Sequence, residues 1–180
     1  MIANKNPTAC VLIIGNEILS GRTKDVNLNF IATRLTELGI RLMEARVIPD
    51  VSDVIVDTVN NCRTRYDYVF TTGGIGPTHD DITAECIAEA FGVELVKHPE
   101  ARRLIAAMCE TNGVELNEAR LRMANVPDGG ILVNNPVSGA PGFKMENVFV
   151  LAGVPRIMRD MFAGCEIHLE GGNQVKSKTV

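Results

Sequence analysis

The chain has 180 residues, of which 46% are hydrophobic and 22% are charged, and its formal net charge is −4. This length and composition are typical of one globular domain and exclude a disordered or fibrous protein. Lys and Arg form no cluster in the sequence, so we expect no binding to nucleic acid and no attraction to an anionic membrane.

The sequence also carries no sign of a membrane or secreted location. No apolar run approaches the length of a membrane span, and the N-terminal residues MIANKNPTACVLIIG lack a clear signal-peptide cleavage site. The five cysteines are scattered without a C-x-x-C pair, and they make no zinc pattern with the three histidines. We therefore expect a cytoplasmic protein whose cysteines are buried thiols.

The first half of the chain predicts alternating strands and helices. Apolar runs predict strands at ACVLIIG (9–15), IRLMEARVI (40–48) and YDYVFTT (66–72), the first of them buried on both faces. The helices that follow carry apolar stripes at Leu28, Ile31, Leu35 and Leu38, at Val51, Ile55, Val59 and Cys62, and at Ile82, Cys86 and Ala90. This order predicts an α/β sheet with right-handed crossovers.

The second half is less regular. VELVK (93–97) predicts a short strand, Pro99 begins a helix, and Asn117 is expected to cap another helix. The stretch 131–153 predicts short strands separated by a Gly/Pro turn, and Pro155 begins a last helix.

The loop after the third strand is rich in glycine. In an open parallel sheet, ligands bind beyond the carboxyl ends of the strands, where residues 15–27, 49–50 and 73–81 are expected to meet. The glycines of the last loop can turn successive N–H groups towards an anion, and the following helix adds its positive end. This arrangement suits a phosphate or pyrophosphate, while a plain strand-to-helix connection explains the same residues almost equally well. We expect Gly74 to tolerate no side chain for reasons of ligand binding rather than folding, because a Cβ would obstruct the phosphate or penalise a positive φ angle.

Carboxylates beside this loop indicate a cation. Asp50 follows the second strand, Asp81 ends the glycine loop, and Glu85 lies four residues later, on the same face if both are helical. Carboxylates repel a phosphate unless a cation lies between them, and Mg²⁺ is bound by one or two carboxylates together with substrate phosphates. We therefore predict a site for Mg²⁺ or another divalent cation, with Asp50, Asp81 and Glu85 as candidate ligands. In the alternative, Asp80 or Asp81 caps the helix.

A second flexible loop, NPVSGAPGF (135–143), follows in the second half. Ser138, Gly139 and Gly142 can present backbone amides to a ligand, although a hairpin turn is an equally good interpretation. His79 and His98 are candidates for acid–base chemistry, but a histidine in such a position is more often an exposed loop residue.

Four segments occur here in an order and spacing that resemble the molybdopterin-binding (MoaB/Mog) domain family, and within it the CinA-like branch. They are GNEILSGRTKDVN, TTGGIGPTHDDIT, NPVSGAPGF and LAGVPRIM. The resemblance implies a three-layer α/β/α sandwich with a mainly parallel sheet, a small-molecule ligand that bears phosphate, and assembly into a homo-oligomer, a dimer or a trimer. It divides the chain into a flexible N-terminus (1–8), one domain (9–163) and a tail (164–180) that reads as the start of a truncated extension.

The resemblance also implies the site residues. Two aspartates that serve catalysis in the family match Asp50 and Asp81. The predicted residues for phosphate or ligand binding are Gly15, Asn16, Glu17, Gly73, Gly74, Gly76, Pro77, Thr78, Ser138, Gly139, Ala140, Pro141 and Gly142. The chain departs from the family pattern at Asn16, Ala152 and Ile157, which leaves both aspartates and the glycines in place.

Three functions are compatible with this resemblance. Members of the CinA-like branch are similar to metal-dependent hydrolases that cleave the pyrophosphate of ADP-ribose. Members of the Mog branch adenylylate molybdopterin with Mg-ATP. A non-catalytic nucleotide-binding module is the third possibility. Because the first loop and the DDIT segment are most similar to the CinA-like branch, we expect pyrophosphohydrolase chemistry rather than adenylyl transfer.

Overall fold

The computed structural model describes residues 6–173, in which strands and helices alternate. The strands are β1 (Thr8–Ile14), β2 (Arg41–Ile48), β3 (Tyr68–Thr72), β4 (Leu95–Lys97), β5 (Asn125–Pro127), β6 (Ile131–Val133), β7 (Gly142–Met145) and β8 (Val148–Leu151). The helices are α1 (Asn16–Leu19), α2 (Asn27–Glu37), α3 (Ser52–Arg63), α4 (Thr83–Phe91), α5 (Pro99–Thr111), α6 (Glu118–Arg122) and α7 (Pro155–Cys165). Residues 1–5 of the predicted flexible N-terminus and residues 174–180 of the predicted tail lie outside this range.

The apolar patterns of the sequence correspond to the strands and helices of the structure. α1 and β5 were not predicted, because segments of four and three residues are too short to show a periodicity. Asn117 caps α6 as predicted, since its side-chain oxygen accepts the Arg120 N–H at 3.0 Å. His98 caps α5 in the same way through Nδ1, so its role here is structural.

Six strands form one sheet in the order β2-β1-β3-β8-β7-β6. The first four are parallel, and β7 and β6 are antiparallel to their neighbours. This confirms the predicted, mainly parallel sheet. β1 lies between β2 and β3, which explains why its sequence is apolar without interruption.

Helices cover both faces of this sheet and make a three-layer α/β/α sandwich. Since side chains alternate along a strand, Leu12 of β1 enters the core beneath α3 and α4, while Val11 and Ile13 enter the core beneath α2 and α7. The second core contains a stack of Phe70 on Phe149, with ring centroids 5.0 Å apart.

A small peripheral unit extends from the sandwich. β4 and β5 form a two-stranded antiparallel sheet, and α5 and α6 pack beside it around four buried residues, Ala101, Ile105, Cys109 and Ala124. Within residues 6–173, no helix has the length and apolar character needed to cross a membrane.

Candidate functional site

The carboxyl ends of β1, β2 and β3 lie side by side, as their parallel pairing requires. The Gly15 N–H donates to the carbonyl oxygen of Ile48 at 3.1 Å, so the loop after β1 begins against the end of β2. One residue later, the Asn16 N–H donates to Oδ2 of Asp50 at 2.8 Å. These two hydrogen bonds join the first and second loops and hold Asp50 at the edge of the sheet.

The glycine loop after β3 is held by Thr83. Gly73 and Gly74 have positive φ angles of 103° and 68°, which residues with side chains rarely adopt. The N–H of the buried Thr83 donates to the Gly74 carbonyl at 2.9 Å, and its hydroxyl donates to the Gly73 carbonyl at 3.1 Å. A Cβ on Gly74 would lie 2.1 Å from this hydroxyl oxygen. The fold itself therefore requires glycine at position 74, which corrects the expectation that only ligand binding requires it.

The predicted anion-binding amides need a correction at Gly73. Its N–H donates to the carbonyl of Leu151 at 3.1 Å, because β3 pairs with β8 up to this point. The amides of Gly74, Ile75 and Gly76 have no acceptor among residues 6–173. Three consecutive N–H groups thus remain for a ligand, and they begin one residue later than predicted.

Neither Asp80 nor Asp81 caps α4, so the alternative in which one of them serves as a helix cap is wrong. The residue before the helix is Ile82, and no side chain accepts a hydrogen bond at the cap. The loop turns back before the helix begins, so that Oδ2 of Asp81 accepts the N–H and the hydroxyl of Thr78, at 2.9 and 2.6 Å. Asp80 instead pairs with His79 at 2.9 Å on the surface.

Asp50 and Asp81 line the same cavity, of about 450 Å³, which we call the polar cavity. Its other polar residues are Asn16, Glu17, Arg22, Thr78, His79 and Asp80. The two aspartates thus meet where the sequence predicted. Four carboxylates and one guanidinium suit a cation that is bound together with a phosphate better than they suit a phosphate alone.

Glu85 does not line the polar cavity. Together with Asp81 it lines a separate, much smaller cavity, where its Oε1 lies 3.6 Å from Arg122. Within residues 6–173, no three His, Cys, Asp or Glu side chains are grouped so that they could hold a metal ion. The predicted trio is therefore not assembled, and the polar cavity offers the pair Asp50 and Asp81. Two carboxylates are enough for Mg²⁺ when substrate phosphates complete the coordination.

A second cavity, of about 480 Å³, adjoins the polar one, and we call it the apolar cavity. The two cavities share Glu17, Gly74 and Asp81. The glycine loop contributes one wall of the apolar cavity and the second loop another. The remaining lining residues include Met123, Ala152, Gly153, Val154, Pro155, Ile157 and Met161. Of the predicted ligand-binding residues, Gly73, Gly76, Pro77, Ser138, Ala140 and Pro141 also lie here.

The second loop does not offer the amides of Ser138 and Gly139, which were predicted to face a ligand. The side chain of the buried Asn135 accepts the Ser138 N–H at 3.1 Å, and the Asn135 carbonyl accepts the Gly139 N–H at 3.0 Å. Asn135 consequently shapes the loop from within. Ser138, Ala140 and Pro141 are left as cavity wall.

Gly15, Gly139 and Gly142 line neither of the two cavities, although all three were predicted to bind the ligand. A Cβ on Gly139 would lie 2.7 Å from Cβ of Met108, and a Cβ on Gly142 would lie 2.5 Å from the carbonyl oxygen of Val150. Glycine at these two positions is required by the packing of the loop on α5 and of β7 on β8.

Three residues around the site were missed from the sequence. Arg22 lines the polar cavity and is its single Lys or Arg side chain. The buried Asn27 donates from Nδ2 to the carbonyl of Gly153 at 2.8 Å and so ties the first loop to the wall of the apolar cavity. Asn135 is the third. All three lie in the quoted loop segments. Asn27 is a polar residue between Val26 and Leu28, which was an available signal, whereas Arg22 lies in the polar run SGRTKD and carries none.

Comparison with known proteins agrees with this geometry. Residues 10–168 match a family model described as "Probable molybdopterin binding domain". A protein of Pyrobaculum calidifontis is 38% identical over 162 residues, which cover 88% of this chain and 62% of that protein. A CinA-like protein of Sulfurihydrogenibium sp. is 36% identical over 160 residues, 86% of this chain and 40% of that protein. The chain thus spans less than two thirds of the length of these relatives.

Two solved structures define the fold relationship. CinA from Thermoplasma acidophilum is 34% identical, with a TM-score of 0.82 over 90% of this chain and 97% of that one. The molybdopterin biosynthesis enzyme MoaB from Thermus thermophilus is 17% identical, with a TM-score of 0.59 over 91% of each chain, and shows the shared fold alone. The chain therefore belongs to the molybdopterin-binding (MoaB/Mog) domain family, and within that family it is similar to CinA.

Proposed function

We propose that this domain binds a phosphate-bearing nucleotide together with a divalent cation and hydrolyses the pyrophosphate of a nucleoside diphosphate-linked substrate, of which ADP-ribose is the type. The supporting observation is that an apolar cavity and a carboxylate-lined polar cavity adjoin each other and share Glu17, Gly74 and Asp81. An aromatic base fits the first cavity, while a pyrophosphate with its cation fits the second.

Each part of the polar cavity has a role in this function. Asp50 and Asp81 would hold Mg²⁺, since hard carboxylate oxygens are its preferred ligands. Bound there, the ion would polarise a phosphoryl oxygen and lower the pKa of a bound water. Arg22 supplies positive charge within the same cavity as the carboxylates, and the amides of residues 74–76 are free to donate to phosphate oxygens. Thr78 orients Asp81 by donating to its Oδ2.

Two other functions share the same cavities. The family match supports molybdopterin binding or adenylylation, because molybdopterin also joins a ring system to a phosphate. A non-catalytic nucleotide-binding module is compatible with the same geometry, since binding alone needs only the apolar cavity and amides that face a phosphate. The carboxylate pair favours hydrolysis over the second alternative, because a purely binding site needs no pair of carboxylates beside a phosphate.

A ligand screen distinguishes these functions. ADP-ribose, FAD, ATP and molybdopterin are each added with and without Mg²⁺, the melting temperature is measured, and every stabilising ligand is tested for products. AMP and ribose 5-phosphate from ADP-ribose would support the proposed hydrolase. Adenylylated molybdopterin would support the first alternative, and stabilisation without turnover would support the second.

Single substitutions test the roles of the two aspartates. Asp50→Ala and Asp81→Ala should each remove most metal-dependent turnover while the protein stays folded, because the loss of a metal ligand weakens transition-state stabilisation on the order of several kcal/mol. Asp57→Ala is the matched control, since this carboxylate is exposed on α3 and lines neither cavity. Wild-type rates in both Asp50 and Asp81 variants would place the metal elsewhere.

A further inference from the structure

One edge of the main sheet is a long strand with an unpaired side. β2 is the outermost strand of the sheet, and among residues 6–173 it pairs with β1 alone. It has eight residues and no proline, whereas β6 at the opposite edge has three. Met43 and Val47 are 50% and 41% exposed on the same face of β2, with the exposed Ala45 between them. The unpaired N–H and C=O groups of such an edge are a template for another strand, while the charges of Arg41, Glu44 and Arg46 restrict which strand can pair with it.

The free polar groups of β2 have a defined direction. The Ile48 carbonyl accepts the Gly15 N–H, so the N–H and C=O of Ile48 point inwards to β1. Because these groups alternate along a strand, those of Val47 and Ala45 point outwards. The register with β1 is unbroken from Glu44 to Ile48, and Met43 is the extra residue of an irregularity opposite Ala9 and Cys10.

A second copy of the chain can pair with this edge in few registers. In an antiparallel pair, the backbone N–H and C=O groups of two opposite residues both point towards the other strand or both point away from it. When the two strands are identical, this condition holds only if the two-fold axis lies where one residue faces its own copy. An axis at Glu44 places two glutamates opposite each other, and an axis at Arg46 places two arginines opposite each other. An axis at Ala45 places Glu44 opposite the partner's Arg46, and Met43 opposite the partner's Val47. That register alone joins unlike charges and apolar side chains.

We propose that two copies of this chain associate through β2, antiparallel and centred on Ala45, so that the two six-stranded sheets become continuous. The partner strand is β2 of a second copy, because in this register each negative charge of one β2 lies opposite a positive charge of the other. Glu44 and Arg46 already share a face, since Arg46 Nε lies 2.6 Å from Glu44 Oε1 within one chain. Pairing would produce a cluster of alternating charges on this face and bury Met43 and Val47 on the other. This interface is independent of the proposed hydrolase activity.

Cross-linking tests the register. In a hydrogen-bonded antiparallel pair, opposite Cα atoms are about 5.5 Å apart, a separation that a disulfide spans. Ala45→Cys should therefore form a covalent dimer under mild oxidation. Val47→Cys is the matched control, because the two Val47 positions would lie about 13 Å apart, four residues along the strand. The five native cysteines are buried, so the wild type should form no cross-link. No cross-link in Ala45→Cys, or equal cross-linking in Val47→Cys, would overturn the register.

Charge reversal tests the association without oxidation. Light scattering over a concentration series should show a wild-type dimer, and a monomer at every concentration would refute the interface. E44R and R46E should each weaken the dimer at least roughly tenfold, since every dimer then contains two pairs of like charge. An equimolar mixture of the two variants should dimerise again, because each opposite pair then joins unlike charges while the pairs within each chain stay repulsive. No recovery in the mixture would mean that Glu44 and Arg46 act only within their own chain.

Discussion

At the scale of single residues, two glycines of the same loop are constrained in different ways. Gly74 has a positive φ angle and lies against Thr83, whereas Gly76 is not in the left-handed region and would place a Cβ 2.7 Å from Oδ2 of Asp81. The first constraint belongs to the fold, and the second protects the position of a carboxylate in the proposed site. Substituting each glycine therefore separates stability from binding.

Gly74→Ala should lower the free energy of unfolding by more than about 1–2 kcal/mol, the usual penalty of a left-handed residue, because the new Cβ also collides with the Thr83 hydroxyl. Gly92→Ala is the control, since Gly92 has a similar φ of 65° and open space around its Cβ position. Denaturant unfolding of both variants measures the difference. Equal losses would show that Thr83 moves aside freely.

Gly76→Ala should cost less stability than Gly74→Ala, about 1 kcal/mol, because its Cβ displaces only the Asp81 carboxylate and weakens the hydrogen bonds from Thr78. The displaced Asp81 carboxylate should then lower Mg²⁺-dependent nucleotide affinity at least tenfold, about 1.4 kcal/mol. Calorimetric titration and a melting curve on the same variant check both parts. Unchanged affinity would exclude Asp81 as a ligand of the cation.

At the scale of elements, β2 is held to the start of β3 through Glu44. Its carboxylate accepts from Arg46 and from the Tyr66 hydroxyl, and these hydrogen bonds lower its pKa from 4.5 to about 2. A carboxyl with a depressed folded pKa stabilises the protein above its unfolded pKa, and this stabilisation is lost as the pH falls towards the folded pKa.

Glu44→Gln should therefore destabilise the protein at neutral pH, and the difference from the wild type should shrink between pH 4.5 and about 2. Unfolding measured across this range at one protein concentration tests the expectation. Glu100→Gln is the control, because Glu100 pairs with Arg103 on the exposed surface of α5, where such pairs add little. A pH-independent difference for Glu44→Gln would mean that its charge is not stabilising.

At the scale of the whole molecule, the five buried cysteines can be used as probes of local unfolding, because each thiol becomes reactive only when the region around it opens. Burial raises the pKa of the Cys86 and Cys165 thiols, which keeps them neutral within the two cores of the sandwich. Cys109 instead belongs to the peripheral unit, whose core has only four buried residues. Regions with few buried apolar contacts open at lower free energy than the global transition.

We therefore expect Cys109 to react first with a thiol reagent under native conditions, and the other four cysteines only as the sandwich unfolds. Mass spectrometry of peptides after timed labelling identifies the order. In Cys109→Ala, the early phase should disappear. Simultaneous labelling of all five thiols would show that the peripheral unit unfolds together with the sandwich.

The sequence by itself determined the sandwich and the point where its loops meet. Apolar runs and helical stripes, as in residues 9–15 and at Ile31 and Leu35, report burial directly, because the side chains of a parallel strand or a helix face must enter a core. Parallel order then brings the carboxyl ends of β1, β2 and β3 to one edge, so Asp50 and Asp81 were placed in one site without coordinates.

Only the tertiary structure decided which groups of those loops are free. The amides of Gly73 and Ser138 were expected to face a ligand, but both donate to acceptors within the protein. Gly73 donates to Leu151, which is distant in sequence, and Ser138 donates to the side chain of Asn135. Arg22 lines the polar cavity, whereas Glu85 lies outside it and pairs with Arg122. The direction of both side chains depends on how the helices and loops pack against each other. A sequence pattern records which residues are buried, whereas the partner of a polar group is settled by distances that exist only in the folded chain.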